Sequence, residues 1–368
     1  MPSESPGWST ILNSTMPMYI RQEVVNILRN RILLARMEQN GRISMNNSGR
    51  YYDWKVKYKR NPMQDYTDGD VLTFARVDRY VTAELPNDRG YMSTESMSLT
   101  ETLQNSGNEA IIKLWDNKAK SLAEDLRENF CDELYIDGNA AGNEKKIHGI
   151  ESFLGAAATN GYPGFVNPSD TYAGLSTVLG NKGGSWTNGT WPQGSSRTTQ
   201  YDYWSPILVD YTSPVPGAYT SAVKTFRNTC NEALRKMITK TSQAKSLTGN
   251  MDLILLEGQL FEDYKNAQDS RQQIRVERGQ NIALVSLGFN VLEFDGVAIA
   301  SEFGMPDATG YGFNTNNMEL KSMQSELFSS DGPYWEQKTQ SWDWAVRFIG
   351  NMCCNPRGFG KLKNYGQA

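Results

Sequence analysis

The chain has 368 residues, 39% of them hydrophobic and 21% charged, which is enough to bury one large core or two. Its 37 basic and 41 acidic residues leave a net charge of −4, against the basic excess of proteins that work by neutralising phosphate. No apolar run approaches the roughly 20 residues of a membrane span, and the opening MPSESPGWST lacks the charged-then-apolar order of a signal peptide.

A polar, proline-bearing arm comes first. Residues 18–40 then place Ile20, Val24, Ile27, Leu28, Leu34 and Ala35 at largely helical steps, with Gly41 as the stop. In YYDWKVKYKR, residues 51–60, Tyr52, Trp54, Val56 and Tyr58 share one parity. Lys55, Lys57 and Lys59 share the other, and Arg60 ends the run. Period two predicts a strand. NPMQDYTDGD is dense in turn formers, and VLTFARVDRYVTAEL reads as a second β-rich run, so the pair makes a long hairpin with a polar tip. A two-stranded ribbon is not stable alone in water, so something must lie against it.

Residues 107–136 carry Ile111, Trp115, Ala119, Leu122, Leu126, Phe130 and Leu134 at three- and four-residue steps. That is one apolar stripe on a helix near 30 residues long, a spine for other elements to cross, with Gly138 after it. Residues 137–220 turn to Gly, Ser, Thr, Asn, Trp and Tyr, predicting loops and short strands. Residues 221–240 return to helix. Met251 to Leu256 reads as a short buried strand running through Gly258 into a helix. Two strands meet at Asp295–Gly296, YGFNTNNMEL offers another, and Trp342, Trp344, Val346 and Phe348 alternate in a last long strand. Helices and strands mix without a βαβ rhythm, which predicts the α+β class.

Chemistry-bearing motifs are scarce. The single histidine, His148, has no neighbouring Cys or His to build a metal cluster, and a nucleophilic triad needs a base beside its nucleophile. Cys131, Cys230, Cys353 and Cys354 show no CxxC spacing; the adjacent pair reads as free buried thiols, with a strained vicinal disulfide as the alternative. GNKGGS precedes no GK[ST], so there is no P-loop. DGNAAGNE at Asp137 lacks the ligand spacing of a calcium loop and reads as a turn. Glu262 and Asp263 are adjacent on a helix and point apart, which makes them poor partners for glycoside hydrolysis. Trp186, Trp191 and Trp204 suit either sugar binding or the fixing of a loop by burial. No cofactor and no metal is implied, and the expectation is a structural or interaction protein, not an enzyme.

The order of these elements resembles a known family. An N-terminal arm, a long hairpin, a spine helix ending in ELYIDGN, then IHGIESFLG, GSSRTTQYDYWSP, LTGNMDLILLEGQLFEDY, FDGVAIASEFGMP, YGFNTNNMEL and CCNPRGFGKL are similar to the major capsid proteins of tailed bacteriophages, of the Hong Kong 97-like fold. The resemblance runs from about residue 18 to residue 364. It implies an N-terminal arm over 1–49 and an extended hairpin, the E-loop, over 50–100, lying on a neighbouring subunit. It implies a peripheral domain with the spine helix over 101–224 and 336–368, and an axial domain over 225–335. The implied function is a subunit of an icosahedral virion shell, assembled in the host cytoplasm as hexamers and pentamers around double-stranded DNA. The implied partners are further copies of the chain, a separate scaffolding protein, a portal and a decoration protein, with no membrane.

On that resemblance Trp54, Lys55, Val56, Lys57, Tyr58, Lys59 and Arg60 are the expected intersubunit contact. The apolar parity would pack on a neighbour, and the lysines would face solvent or its carboxylates. Two readings from other classes compete. One is nucleic-acid binding by the basic and aromatic hairpin 50–60. The other is carbohydrate binding by the Trp-rich region 186–204.

Overall fold

The computed structural model describes residues 31–57, 63–74, 76, 78–104, 108–155, 157–158, 164–177, 204–214, 224–241, 250–269 and 291–366. In chain order the elements are α1 (Ile32–Gln39), β1 (Ile43–Ser44), β2 (Tyr51–Lys57), β3 (Tyr80–Pro86), β4 (Gly90–Ser98), α2 (Leu99–Gln104), α3 (Asn108–Glu133), α4 (Glu151–Leu154), β5 (Ala157–Ala158), β6 (Phe165–Pro168), β7 (Thr171–Tyr172), β8 (Leu175–Ser176) and β9 (Ile207–Asp210). There follow α5 (Phe226–Thr241), β10 (Leu253–Leu256), α6 (Gly258–Asp269), β11 (Leu292–Phe294), β12 (Val297–Ser301), β13 (Thr309–Phe313), β14 (Met318–Ser322), β15 (Ser329–Glu336), β16 (Ser341–Cys354) and β17 (Gly360–Lys363).

The spine is α3, 26 residues and about 39 Å long. Ala119, Leu122, Leu126 and Phe130 are buried along one stripe, and Leu134 continues it past the helix end. The side chains of Ile111 and Trp115 lie outside the described residues. Phe130 meets Phe328 and Phe348 edge-on, each with ring centroids 5.0 Å apart, which fastens the spine to the sheet it crosses.

That sheet is built on β16, 14 residues long. Its first part pairs antiparallel with β4 on one side and β15 on the other, and its later part pairs with β14. Trp344, Val346 and Phe348 are buried on the spine side while Arg347 is exposed opposite, as the alternation predicts. Gly350 sits where β16 crosses the Lys321 carbonyl, a spot with no room for a Cβ. Short β1 joins the sheet parallel to β14.

The second sheet has eight strands in the order β11-β12-β10-β13-β17-β9-β6-β5. Period two explains its two-sided burial. Ile207, Val209, Ile254, Leu256, Val297 and Ile299 face α5 and α6, against Phe226, Leu234, Leu260 and Phe261. Leu208, Leu253, Leu255, Ala298 and Ala300 face the other way, into the core shared with the spine. Both faces of β10 are therefore covered, which is why LILL reads as an unbroken apolar run. The predicted turn at Asp295–Gly296 joins β11 to β12, with φ of 48° and 81° as the tight hairpin turn requires.

Sheet membership crosses the expected domain limits. β14 and all but the last residue of β15 fall inside 225–335 but pair with β16, while β6, β9 and β17 fall outside it but complete the sheet of β10–β13. Backbone ladders join strands by position in space, and contiguity in sequence does not constrain them. The expected hairpin 50–100 is also shorter. Its ladder covers β2 and β3, and residues 90–98 leave it to pair with β16.

Polar ties lock the layers. The Leu33 N–H donates to Glu302 at 2.9 Å, and Arg36 pairs with Asp252 at 3.1 Å, fixing α1 to the second sheet. Only this C-terminal part of the predicted helix 18–40 is described; Gly41, at φ 63°, follows it as expected. Lys361, almost fully buried, pairs with Glu151 at 2.7 Å, and the Tyr311 hydroxyl donates to the same carboxylate.

Candidate functional site

The ribbon β2–β3 is antiparallel from Tyr51–Pro86 to Lys57–Tyr80. Its aromatic parity does not face outward. Tyr52 and Val56 are buried in the chain's own core, and Trp54 is half-buried against it, 6.3 Å from the Tyr172 ring. The partner the ribbon's base requires is thus the chain itself. Lys55 is exposed and Lys57 half-buried on the other parity. Tyr58, Lys59 and Arg60 lie outside the described residues. Val56, expected on a neighbour, is enclosed at home, and Trp54 is half enclosed. The exposed apolar side chains of the ribbon lie farther out.

The far end carries them. Residues 63–74 hold no strand, so the expected β-rich run 71–85 contracts to Tyr80–Pro86. The physical reason is pairing: within the described residues the ladder stops at Lys57–Tyr80, and VLTF has no strand beside it. Met63, Val71 and Phe74 are more than 90% exposed, and Tyr66 is 72% exposed. The end is nevertheless shaped. The Gln64 side-chain amide donates to the Thr73 carbonyl and accepts from its N–H, as a strand neighbour would. Asp70 accepts from the Thr67 N–H and hydroxyl, closing the turn beside Gly69. The Asp residues alone predict a polar end. The stronger signal there is five large apolar residues, Met63, Tyr66, Val71, Leu72 and Phe74, within twelve positions.

The other sequence candidates resolve as architecture. His148 is 5% exposed, its ring edge-on to Tyr172, and burial together with the nearby Arg89 charge pulls its pKa down to about 4. It is neutral at pH 7. The cysteines are free and buried; burial pushes the Cys353 thiol up to about 12 and Cys354 up as well, which removes their nucleophilicity. Trp204 is 1% exposed and stacked on Tyr172, so it offers no face to a sugar. Trp186 and Trp191 lie outside the described residues. The DGNAAGNE segment is a hydrogen-bonded turn in which Asp137 accepts from the Asn139 N–H and the Asn143 amide. Glu262 and Asp263 lie on α6 with Leu260, Phe261 and Tyr264 taking the buried positions around them.

Neither a family model nor a curated protein matches the chain. Solved structures do. The cyanophage A-1(L) capsid asymmetric unit matches at a TM-score of 0.60 and 14% identity, covering 89% of this chain and 91% of that one. The chain has the Hong Kong 97-like capsid fold. The capsid of the native GTA particle follows at 0.51 and 11% identity, covering 89% of both chains. The mature capsid of bacteriophage PhiM1 stands at 0.50 and 11%, covering 89% of this chain and 87% of that one. A Hong Kong 97-like fold retained at such identities is a shared backbone path, with the contact residues left to each sequence.

Proposed function

We propose that the chain is a structural shell subunit, the major capsid protein of a tailed bacteriophage, which assembles with copies of itself into hexamers and pentamers around double-stranded DNA. The observation that carries this reading is the match over 89% of the chain to the cyanophage A-1(L) capsid asymmetric unit. The projecting ribbon supports it: a shaped apolar end held clear of the chain's own core is a surface that needs a partner. A shell subunit requires self-complementary heterologous contacts and no active site. Each contact can be weak, because many engage at once. Separate scaffolding, portal and decoration proteins belong to the same proposal. The test is expression of the chain alone and together with a candidate scaffolding protein, followed by sedimentation and electron microscopy. Closed particles or rings of five and six are expected; a monodisperse monomer under every condition refutes the reading.

A further inference from the structure

Two carboxylates hold α1 to the second sheet, and they are not equally provided for. Asp252 accepts from Arg36 at 3.1 Å, from the Thr315 N–H at 2.8 Å and from the Thr315 hydroxyl. A cation and two further donors meet its charge. Glu302, which follows β12, is buried. Its Oε2 accepts from the Leu33 N–H at 2.9 Å, in the first turn of α1. Its Oε1 has no hydrogen-bond partner in the described structure. The Tyr135 hydroxyl stands near it, also buried and also without a partner.

The charges around Glu302 do not make up the deficit. Arg31 leads into α1, but its Nη1 donates to the Phe303 carbonyl, and among the described residues no cation forms an ion pair with Glu302. Beyond Arg31, across Gly304, lies a second carboxylate, Asp132 of α3. A buried carboxylate with one oxygen unmet is costly to keep charged. Burial raises the Glu302 pKa above the ordinary 4.5, and the Leu33 N–H and Arg31 pull the other way without cancelling it. Burial also holds the proton on Tyr135, so Glu302 is the group of this pair that titrates.

The helix it holds is part of a strap. α1 leads into β1, which pairs with β14 of the first sheet, and the Leu320 N–H donates to the Arg42 carbonyl at 2.9 Å just before it. One end of the strap is therefore tied to each sheet.

We propose that Glu302 is a proton-controlled catch for this strap: α1 seats on the neutral carboxylic acid, and loss of that proton loosens the helix from the second sheet. The neutral acid brings an O–H that the Tyr135 oxygen can accept, which meets both unpartnered atoms with one bond. When α1 lifts away, water reaches the side chain and its ordinary acidity returns, so seating takes up a proton. The hold is full below about pH 4.5 and is lost as pH rises through the raised value. That sign is opposite to the effect of His148, whose neutral folded form makes acid destabilising. The catch goes beyond the shell reading and does not depend on it.

The test is hydrogen exchange of the full-length, unassembled chain between pH 4.5 and pH 8, read by mass spectrometry and corrected for the intrinsic pH dependence of exchange. Protection of the peptide spanning α1, taken relative to the peptide spanning α5, is expected to fall as pH rises, by up to about tenfold per unit until the raised pKa is passed. Glu302→Gln keeps an acceptor for the Leu33 N–H and carries no charge at any pH. It is expected to keep the protection and lose the slope, and His148 is common to both chains. Equal slopes in the two chains overturn the proposal. So does a wild-type α1 whose relative protection is flat or rises with pH, a result that decides the matter without the variant.

Discussion

His148, the sole histidine, makes a clean titration experiment. Burial holds its imidazole neutral, with a pKa near 4 against 6.5 for a free histidine. The unfolded chain takes up a proton as pH falls through 6.5, and the folded chain does not until about 4. Stability therefore falls with acid across that window and is unaffected above it. The difference of about 2.5 units corresponds to about 3 kcal/mol by pH 4. The perturbation is His148→Leu. The Nδ1 atom has no hydrogen-bond partner in the described structure, so leucine sacrifices only the edge contact with Tyr172. Urea unfolding of the unassembled subunit at pH 7 and at pH 4.5, for wild type and variant, isolates the histidine from the carboxylates, which both chains share. The wild type is expected to lose about 2–3 kcal/mol more than the variant over this range. A second readout is direct, because one histidine gives one imidazole Cε1–H resonance. That resonance shifting with a midpoint near 6.5 in the folded protein, or equal acid sensitivity of the two chains, refutes the reasoning.

Three further predictions follow from the same packing. Lys361→Met leaves the Glu151 carboxylate facing the core with the Tyr311 hydroxyl as its remaining partner, and is expected to cost about 3 kcal/mol. Adding Glu151→Gln should recover most of that loss, and equal unfolding midpoints for the single variant and the wild type would sink the idea. Val56→Ala removes two buried carbons and is expected to lower subunit stability by about 2 kcal/mol, whereas Phe74→Ser, on an exposed side chain, should stay within about 0.5 kcal/mol yet suppress particles. Paired urea melts and sedimentation separate the two effects, and a Phe74→Ser chain that assembles normally counts against the ribbon end as a contact. Gly350→Ala drives a methyl group into the Lys321 carbonyl at the crossing of β16 and β14, and insoluble or unfolded protein is expected on expression; a soluble subunit with an unshifted melt would show that the crossing yields.

The fold was legible where one periodicity dominated. The α3 stripe from Ala119 to Phe130, the β16 alternation and the Asp295–Gly296 turn were each readable because a single face, or a single backbone requirement, selected the residues. The order of elements then carried the family resemblance. Sheet membership was not readable: nothing in GKLK tells that β17 lies between β13 and β9, because that placement is decided by ladder partners about 50 residues away in one case and about 150 in the other. The candidate site was half legible. Alternation in YYDWKVK was real, but a two-faced strand states only that one face is covered, not by whom. Tyr172, which covers it, sits in a two-strand hairpin that gave no signal. At the ribbon end, Asp and Gly announced a turn and drew attention from the apolar residues between them.

The position of β17 also sets a timetable. It is the last described strand in chain order, yet it joins the β13 side of the eight-stranded sheet to the β9 side. Every ribosome therefore exposes β9 and β13 as two open edges until residue 363 has left the exit tunnel. Over that interval the nascent chain holds two unfinished half-sheets, which are liabilities for edge-to-edge pairing with other nascent chains. Lys361 carries the charge that closes this gap, and Glu151, made some 200 residues earlier, waits beneath it. Closure of the sheet is thus tied to synthesis of β17, and a chain interrupted before β17 is denied the sheet on which a finished copy would be built.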